Sequence, residues 1–418
     1  MQHGNSAHLT RRGVDICRGC DGESLVSVLD LGEQPLANEF PRTPNASEAR
    51  FPLHLRVCSS CGLGQVGEYV LPDRIFGNYP YLSSMSASWV EHARQFAANQ
   101  TTRLALGSES WVLEIASNDG YLLQEFSSLG VRVLGVEPAG NISAIAQAHG
   151  VETLTAFFSS EVASNIREEH GIPTLIVANN VMAHVPDVDD FVRGLAALCD
   201  ERTLISIENP SLINLLTMGQ FDTIYHEHFS YLSANAVARI VERHGLSLID
   251  IDDLPTHGGS NRYWLGATGQ HETQAAVAAA IDDELKRGLL SVPKYREFAE
   301  DCRATICGLQ SWLLDRRSAH SRIFAYGAAA KGNTLLNAAG IDNRIIRCAV
   351  DASPEKQGKF LPGSRIPIVS TESLAALAPD DILLLPWNLR SEVAAFVGRT
   401  CPGARLWIAV PRMEIVQT

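Results

Sequence analysis

Two Cys-x-x-Cys pairs constrain this chain more than any other feature. Cys17-Arg18-Gly19-Cys20 and Cys58-Ser59-Ser60-Cys61 are separated by 37 residues. Four thiols in two such knuckles suit a closed tetrahedral Zn2+ site with Cys17, Cys20, Cys58 and Cys61 as ligands. With every position filled by sulfur, the zinc is expected to be structural. The spacer exceeds that of a simple ribbon, so a small subdomain is inserted between the knuckles. Gly19, Gly62 and Gly64 let the backbone turn closely around the sulfurs. The alternatives are four reduced core cysteines or a redox pair, although no thioredoxin-like pattern surrounds either knuckle. Cysteines grouped for metal rather than for disulfides point to a reducing cytoplasm.

The 418 residues suggest two or three domains. A hydrophobic content of 45% against 19% charged suits packed cores. The net charge of -13 argues against a nucleic-acid partner, which normally demands a basic footprint. No apolar run is long enough for a membrane span. Met1 to Gly13 are polar and lack the apolar core of a secretory signal.

From Trp111 to Glu208, short apolar runs alternate with helical windows. Strands are expected at Trp111–Ile115, Val131–Val136, Thr174–Ala178 and Thr203–Ile207, with helices at Ile142–His149 and Val188–Leu198. This is an α/β pattern with a mostly parallel sheet. The first strand runs into Glu114-Ile115-Ala116-Ser117-Asn118-Asp119-Gly120, and the second ends at Glu137-Pro138. A carboxylate in that second position suits ribose hydroxyls. The loop is not Gly-x-Gly-x-x-Gly, and its Glu114 and Asp119 would repel a pyrophosphate. An acidic loop suits S-adenosylmethionine, with its ammonium and sulfonium, better than NAD. Asn179 and Asn180 follow the third strand, where they can bond the cofactor's amino-acid part, and His184 could face the reacting centre.

Upstream, Pro80 forces an extended backbone at Tyr79. Tyr79 and Tyr81 either cap a pocket or pack a linker ahead of a helix over Ser88–Asn99. Downstream, Tyr225-His226-Glu227-His228 sets four proton-handling groups side by side, shielded by Phe221, Ile224, Phe229 and Tyr231. Such a group suits proton abstraction beside a carbonyl. Open alternatives are a solvated surface turn, or a metal bound by His226 and His228. His257, Ser260 and Arg262 flank paired glycines and offer donors to phosphate or sugar hydroxyls.

Gln274 to Leu314 reads as a helical connector broken near Pro293. A second α/β unit follows, with strands at Arg322–Tyr326, Cys348–Asp351, Ile382–Pro386 and Leu406–Val410. The loop Gly327 to Thr334 has the order Lys-Gly, not Gly-Lys-Ser/Thr, so it is no nucleotide-hydrolysing motif. Lys331 at a helix start could still hold a phosphate.

In order and combination, the two knuckles, Tyr79-Pro80-Tyr81, Glu114 to Gly120, Asn179 to Asp187, Tyr225 to His228, His257 to Ser260 and Gly327 to Asn333 resemble the three-domain C-methyltransferases of nucleotide-activated deoxysugars. The likeness covers nearly the whole chain. It implies a zinc-binding domain over 1–75, a Rossmann-like methyltransferase domain over 76–272 and a second Rossmann-like α/β domain over 273–418. It implies S-adenosylmethionine held by Glu114, Ala116, Ser117, Asn118, Asp119, Glu137, Pro138, Asn179 and Asn180, with structural zinc. The substrate would be a dTDP-4-keto-deoxysugar methylated at carbon 3 for antibiotic assembly, reached by Tyr81, His257, Ser260, Arg262, Lys331 and Asn333. His228 would be the base, Glu227 would fix its tautomer, Tyr225 or His184 would donate to the enolate oxygen, and Tyr79 would line the pocket. A cytoplasmic monomer without nucleic-acid or membrane partners is expected. Methylation at carbon 5 is the nearest rival. A zinc-ribbon macromolecule methyltransferase and a silent sugar-nucleotide binder are remoter ones. Ala116 stands where such loops commonly carry glycine.

Overall fold

Trp111–Ile115 (β1), buried at all five positions, is an interior strand of a seven-stranded sheet. A strand covered on both faces needs a continuous apolar run, and this one has it save for Glu114. The computed structural model describes residues 14–77, 79 and 81–417. Met1–Gly13, Asn78, Pro80 and Thr418 lie outside the described residues, so the readings of the first residues and of the proline beside Tyr79 do too.

The described chain forms two compact units. The first comprises the described residues up to Leu25, Cys58–Leu212 and Phe229–Leu290. Its sheet adds Arg132–Val136 (β2), Thr153–Leu154 (β3), Leu175–Asn179 (β4), Leu204–Pro210 (β5), Leu246–Leu254 (β6) and Ser260–Ala267 (β7), in the order β6-β7-β5-β4-β1-β2-β3. The strands β3, β2, β1, β4 and β5 are parallel, and β7 and β6 close the edge antiparallel. Alternation along each strand divides the core. Leu113, Ile115, Ile205 and Ile207 face one side with Phe191 and Leu195, while Val112, Val177 and Trp264 face the other with Phe96 and Phe126.

The helix Ala87–Arg103 (α1) covers the second side. Ser86 caps it by accepting from the Trp89 amide. Its buried positions Ala93, Phe96, Ala97 and Gln100 recur at helical spacing and make one face.

The second unit comprises Val26–Val57, Ile213–His228 and Ser291–Thr418, of which Thr418 is not described. It holds the long helix Val292–Ser318 (α2), the helix Ala330–Ala338 (α3) and a six-stranded sheet. The strands are Ile323–Tyr326 (β8), Ala349–Asp351 (β9), Ile368–Ser370 (β10), Asp381–Leu384 (β11), Arg405–Ile408 (β12) and Glu414–Val416 (β13), ordered β10-β9-β8-β11-β12-β13. All pairings are parallel except β12 with β13. The order reverses at β8, as at the switch point of a doubly wound fold. There Gly327, at φ +87°, lies so close to Pro386 that a Cβ would meet its Cδ at 2.4 Å. Among the described residues no helix is long and apolar enough to cross a membrane.

The four predicted ligand cysteines converge. Cys17, Cys20, Cys58 and Cys61 bring their sulfurs within 4.8 Å of one another, with Cys17–Cys61 at 3.5 Å and Cys20–Cys58 at 3.7 Å. A tetrahedral zinc with Zn–S bonds of about 2.3 Å sets its sulfurs about 3.8 Å apart. The residues therefore fit the ion. Three of the four are fully buried and belong to the same core as β1 and β5. Removing zinc should leave four clustered sulfurs in that core without the ion that links them. Treatment with a strong chelator is expected to lower the melting temperature by roughly 10 °C or more, with recovery on adding zinc. Cys61→Ser should reproduce the loss, and a melt indifferent to both would contradict a structural ion.

Candidate functional site

At the carboxyl end of β1 the backbone leaves in an unusual path. Ala116, Asn118 and Gly120 have φ of +56°, +50° and +79°. Left-handed geometry costs a residue with a Cβ about 1–2 kcal/mol, so alanine at this position needs compensation that a glycine would not. Part of that comes from Glu137 at the end of β2. Its carboxylate accepts from the Asn118 amide at 3.0 Å and the Ala139 amide at 2.9 Å, across Pro138. Asn118 Oδ1 accepts from the Ser83 amide at 2.8 Å, its Nδ2 donates to the Tyr81 carbonyl at 3.3 Å, and Asp119 accepts from the Ser84 amide at 3.2 Å. The Tyr81–Ser84 backbone is thus tied to the loop, although the Tyr81 side chain is itself 42% exposed.

Three carboxylates crowd this rim. Glu114 and Asp119 are 1% exposed and Glu137 is 5% exposed. Glu114 Oε2, Asp119 Oδ1, Ser117 Oγ and the Oδ1 atoms of Asn179 and Asn180 are buried with no hydrogen-bond partner among the described residues. Burial, then the charges of Asp119 and Glu137, push the Glu114 carboxyl well above the ordinary carboxylate range, against a bond from Tyr121. Buried unpaired acids are costly, and a bound cation would remove most of that cost. The residues therefore fit S-adenosylmethionine, whose ammonium and sulfonium are positive, and would repel a pyrophosphate.

Beside this rim lies a network that the sequence reading missed. Glu208, fully buried at the end of β5, accepts from His92 of α1 at 2.9 Å, from Arg262 of β7 at 2.7 Å and from Thr256 at 2.9 Å. Burial alone would raise its pKa, but the His92 bond and the Arg262 charge bring it below the usual value. Arg262 also lies 4.4 Å over the Phe96 ring. Its guanidinium bonds Glu208 through Nη2. Ser260 donates to the Thr256 carbonyl at 3.0 Å, and His257, at φ +53°, packs its ring 5.2 Å from Trp89. An acid closing a parallel strand was the available signal for Glu208, but its partners are remote in sequence.

Tyr79 and His184 are brought near each other through Phe76. The Phe76 ring lies 5.7 Å from that of Tyr79 and 5.4 Å, edge-on, from that of His184. Asn141 fixes Tyr79 by donating to its carbonyl at 2.9 Å and accepting from its amide at 3.3 Å.

The Tyr225–His228 segment belongs to the second unit. His228 Nδ1 lies 3.0 Å from the Thr223 carbonyl, and the rings of Tyr225 and His228 are 4.1 Å apart. A carbonyl only accepts, so Nδ1 carries the proton and the neutral ring keeps its lone pair on Nε2. Glu227 was expected to fix this tautomer, but the Thr223 carbonyl does so. The Glu227 carboxylate accepts from Asn38 Nδ2 at 2.7 and 2.9 Å. His226 Nε2 faces the Phe51 carbonyl at 3.2 Å, and burial lowers its pKa, so it remains neutral. Among the described residues, the four cysteines are the only group of three or more potential metal ligands, so nothing assembles around His226 and His228.

Lys331 and Asn333 sit on α3. Lys331 Nζ donates to Asn388 Oδ1 at 2.8 Å and lies 4.6 Å from the Trp387 ring. Asn333 Nδ2 donates to the Ala37 carbonyl at 2.6 Å, and its buried Oδ1 has no partner among the described residues.

Comparison with known proteins adds to this geometry. Residues 17–76 match a family model of a zinc binding domain, residues 89–251 a methyltransferase domain, and residues 255–411 a C-methyltransferase C-terminal domain. The chain is 36% identical over 385 residues to the C-methyltransferase NovU of Streptomyces niveus, covering 91% of this chain and 92% of that protein. It is 26% identical over 168 residues to the ubiquinone biosynthesis O-methyltransferase of Methylobacterium sp. (strain 4-46), covering 36% of this chain and 66% of that protein. Among solved structures, magnesium protoporphyrin IX methyltransferase of Synechocystis PCC 6803 aligns with a TM-score of 0.34 at 14% identity, covering 43% of this chain and 83% of the other.

The acidic rim makes a prediction with a defined sign. Because Glu114 has a raised pKa, ionising it costs the folded protein stability as pH rises above the unfolded value. Glu114→Gln removes that cost, so the cofactor-free variant should unfold at higher urea than wild type at pH 7. Its affinity for S-adenosylmethionine should fall about tenfold or more, a loss of about 1.4 kcal/mol. Calorimetry in buffers of different ionisation enthalpy should show wild-type binding releasing protons. Proton uptake, or a variant that binds as well as wild type, would refute the assignment.

Proposed function

Because this chain belongs to the C-methyltransferase family, a zinc-binding and S-adenosylmethionine-dependent one, we propose that it methylates carbon 3 of a dTDP-linked 4-keto-deoxysugar in antibiotic deoxysugar assembly. The observation carrying this reading is the 3.0 Å approach of His228 Nδ1 to the Thr223 carbonyl. It presents the imidazole as a base at Nε2.

The 4-keto group acidifies the proton on carbon 3. His228 Nε2 takes that proton, and the C–H electron pair passes into the enolate. Tyr225 or His184 donates to the enolate oxygen as charge develops there. The cofactor, when bound, supplies an electrophilic methyl group, and the carbon–carbon bond forms as its sulfur–carbon bond breaks. The proton on His228 then returns to solvent. Methyl transfer needs no acid or base of its own, so orientation and enolate stabilisation carry most of the rate.

In this reading Glu114, Ala116–Asp119, Glu137, Pro138, Asn179 and Asn180 hold the cofactor. Tyr79 lines the pocket, and Tyr81, His257, Ser260 and Asn333 meet the sugar nucleotide. Arg262 and Lys331 are left out, because Glu208 and the Trp387–Asn388 turn already engage them.

His228→Asn should abolish the base. Incubated with a panel of dTDP-4-keto-deoxysugars in deuterated water, the variant should lose both alpha-carbon deuterium exchange and methylation by about 100-fold or more, and NMR of the wild-type product should place the labelled methyl on carbon 3. Unchanged turnover in the variant would reject His228 as the base, and a methyl on carbon 5 would reject the position.

A further inference from the structure

Building on His228 as the base, we propose that Asp222, Trp387, Lys331 and Thr334 form a positioning arm that aims the Thr223 carbonyl at His228 Nδ1. None of the four is placed to be a catalytic residue. They act through the backbone of one turn.

That turn, Phe221–Thr223, has almost no length of its own to fix its geometry. Its amides close locally, with the Ile224 amide bonded to the Phe221 carbonyl at 3.0 Å and the His228 amide to the Tyr225 carbonyl at 3.0 Å. Thr223 Oγ1 turns back to the Gln220 carbonyl at 2.8 Å. These bonds shape the turn but tie it to nothing else.

The external ties come from two places in the same unit. Thr334 on α3 donates its hydroxyl to the Ile224 carbonyl at 2.9 Å, one residue beyond the carbonyl that meets His228. Trp387, just after β11, donates Nε1 to Asp222 Oδ2 at 2.7 Å, one residue before it. The Thr223 carbonyl is therefore bracketed on both sides by bonds from side chains more than 100 residues away in sequence.

Burial makes the Asp222 tie stringent. Its side chain is fully buried and its Oδ1 has no partner among the described residues. Burial raises its carboxyl to about 6, with Lys331 the chief opposing charge and the Trp387 bond next. Lys331 is held for that task by Asn388 and by the Trp387 ring. The other titratable group acting there is Cys302 of α2, whose thiol burial pushes well above its usual value, with Asp222 contributing. One lysine thus steadies both the acid and the indole that bonds it.

The mechanical consequence is specific. If the bracket loosens, the Thr223 carbonyl drifts, Nδ1 loses its acceptor, and the ring can place its proton on Nε2. A ring in that tautomer cannot accept a proton there.

The test reads the ring directly, without substrate. In zinc-loaded protein with 15N-labelled histidine, the wild-type His228 should show one protonated Nδ1 and one unprotonated Nε2. Trp387→Phe keeps the ring but removes the donor. It should move both nitrogens toward intermediate shifts, and lower kcat about tenfold with dTDP-4-keto-6-deoxyglucose or another turned-over member of the panel while leaving KM and zinc content unchanged. Should that variant fail to fold, Thr334→Val removes a single hydroxyl bond and should give the same shift. Wild-type ring resonances in the folded variant, or a kcat loss matched by a rise in KM, would overturn the arm. Failure of the base itself looks different: His228→Asn would keep deuterium exchange, whatever the ring resonances of the arm variants.

Discussion

The zinc knuckles grip the polypeptide one residue after the proposed base. Arg18, inside the first knuckle and 1% exposed, donates to the Phe229 carbonyl and, at 3.0 Å, to the Val66 carbonyl. Its own amide bonds Gln65 Oε1 at 3.1 Å. From the second knuckle, the Cys61 and Gly62 carbonyls accept from Asn235 and Ser233 at 2.7 and 3.0 Å. Gly64 and Gln65 pair with Tyr231 and Ser230 as a short antiparallel ladder. A buried guanidinium is tolerable only where its bonds are fixed beforehand, and the closed thiolate site fixes them. Arg18 thus ties the first knuckle to the segment that begins at Phe229.

The cofactor rim works by the opposite device. At the second knuckle the Cys61 and Gly62 carbonyls are bonded from within, whereas Glu114 Oε2 and Asp119 Oδ1 have no hydrogen-bond partner among the described residues. Natural folds rarely keep several buried acids together without a reason, and ligand sites are where such strain collects. Glu208 shows what the same burial looks like when the protein answers it from within: three donors converge on it and its pKa falls. The two carboxylates are comparably buried, yet one is completed by the protein and the other has an oxygen without a hydrogen-bond partner among the described residues.

Most of the fold was legible because its signals are local. The strands from Trp111 to Ile207, the helix after Ser86 and the second α/β unit follow periodicity and punctuation, and the knuckles follow spacing. At the candidate site, what the sequence displays is the presence of carboxylates at strand ends, Glu114 and Glu137, which the structure shows to be buried. The site was not legible where a backbone group or a distant residue decides. Nothing in the run Tyr225–His228 tells that the Thr223 carbonyl, rather than Glu227, meets the imidazole. Nothing near Arg262 or Lys331 reveals Glu208 or Trp387 as competitors for their charges. Ala116 was visible as a departure, but its φ of +56° was not.

Chain division explains why those distant residues matter. The methyltransferase family match ends at residue 251 and includes His228, yet the compact unit holding Ile213–His228 is the one that includes Ser291 onward. The proposed base is encoded within one family segment, and the side chains that bond its turn are encoded in another. A fragment ending near residue 272 would contain every proton-handling group of Tyr225–His228 and the whole acidic rim, but neither Thr334 nor Trp387. Such a fragment could retain the cofactor's electrostatic complement while losing the geometry of the base. On the proposed reading, binding and carbon acidification are therefore separable, the first resting on buried charge at the ends of β1 and β2, the second on a bracketed carbonyl.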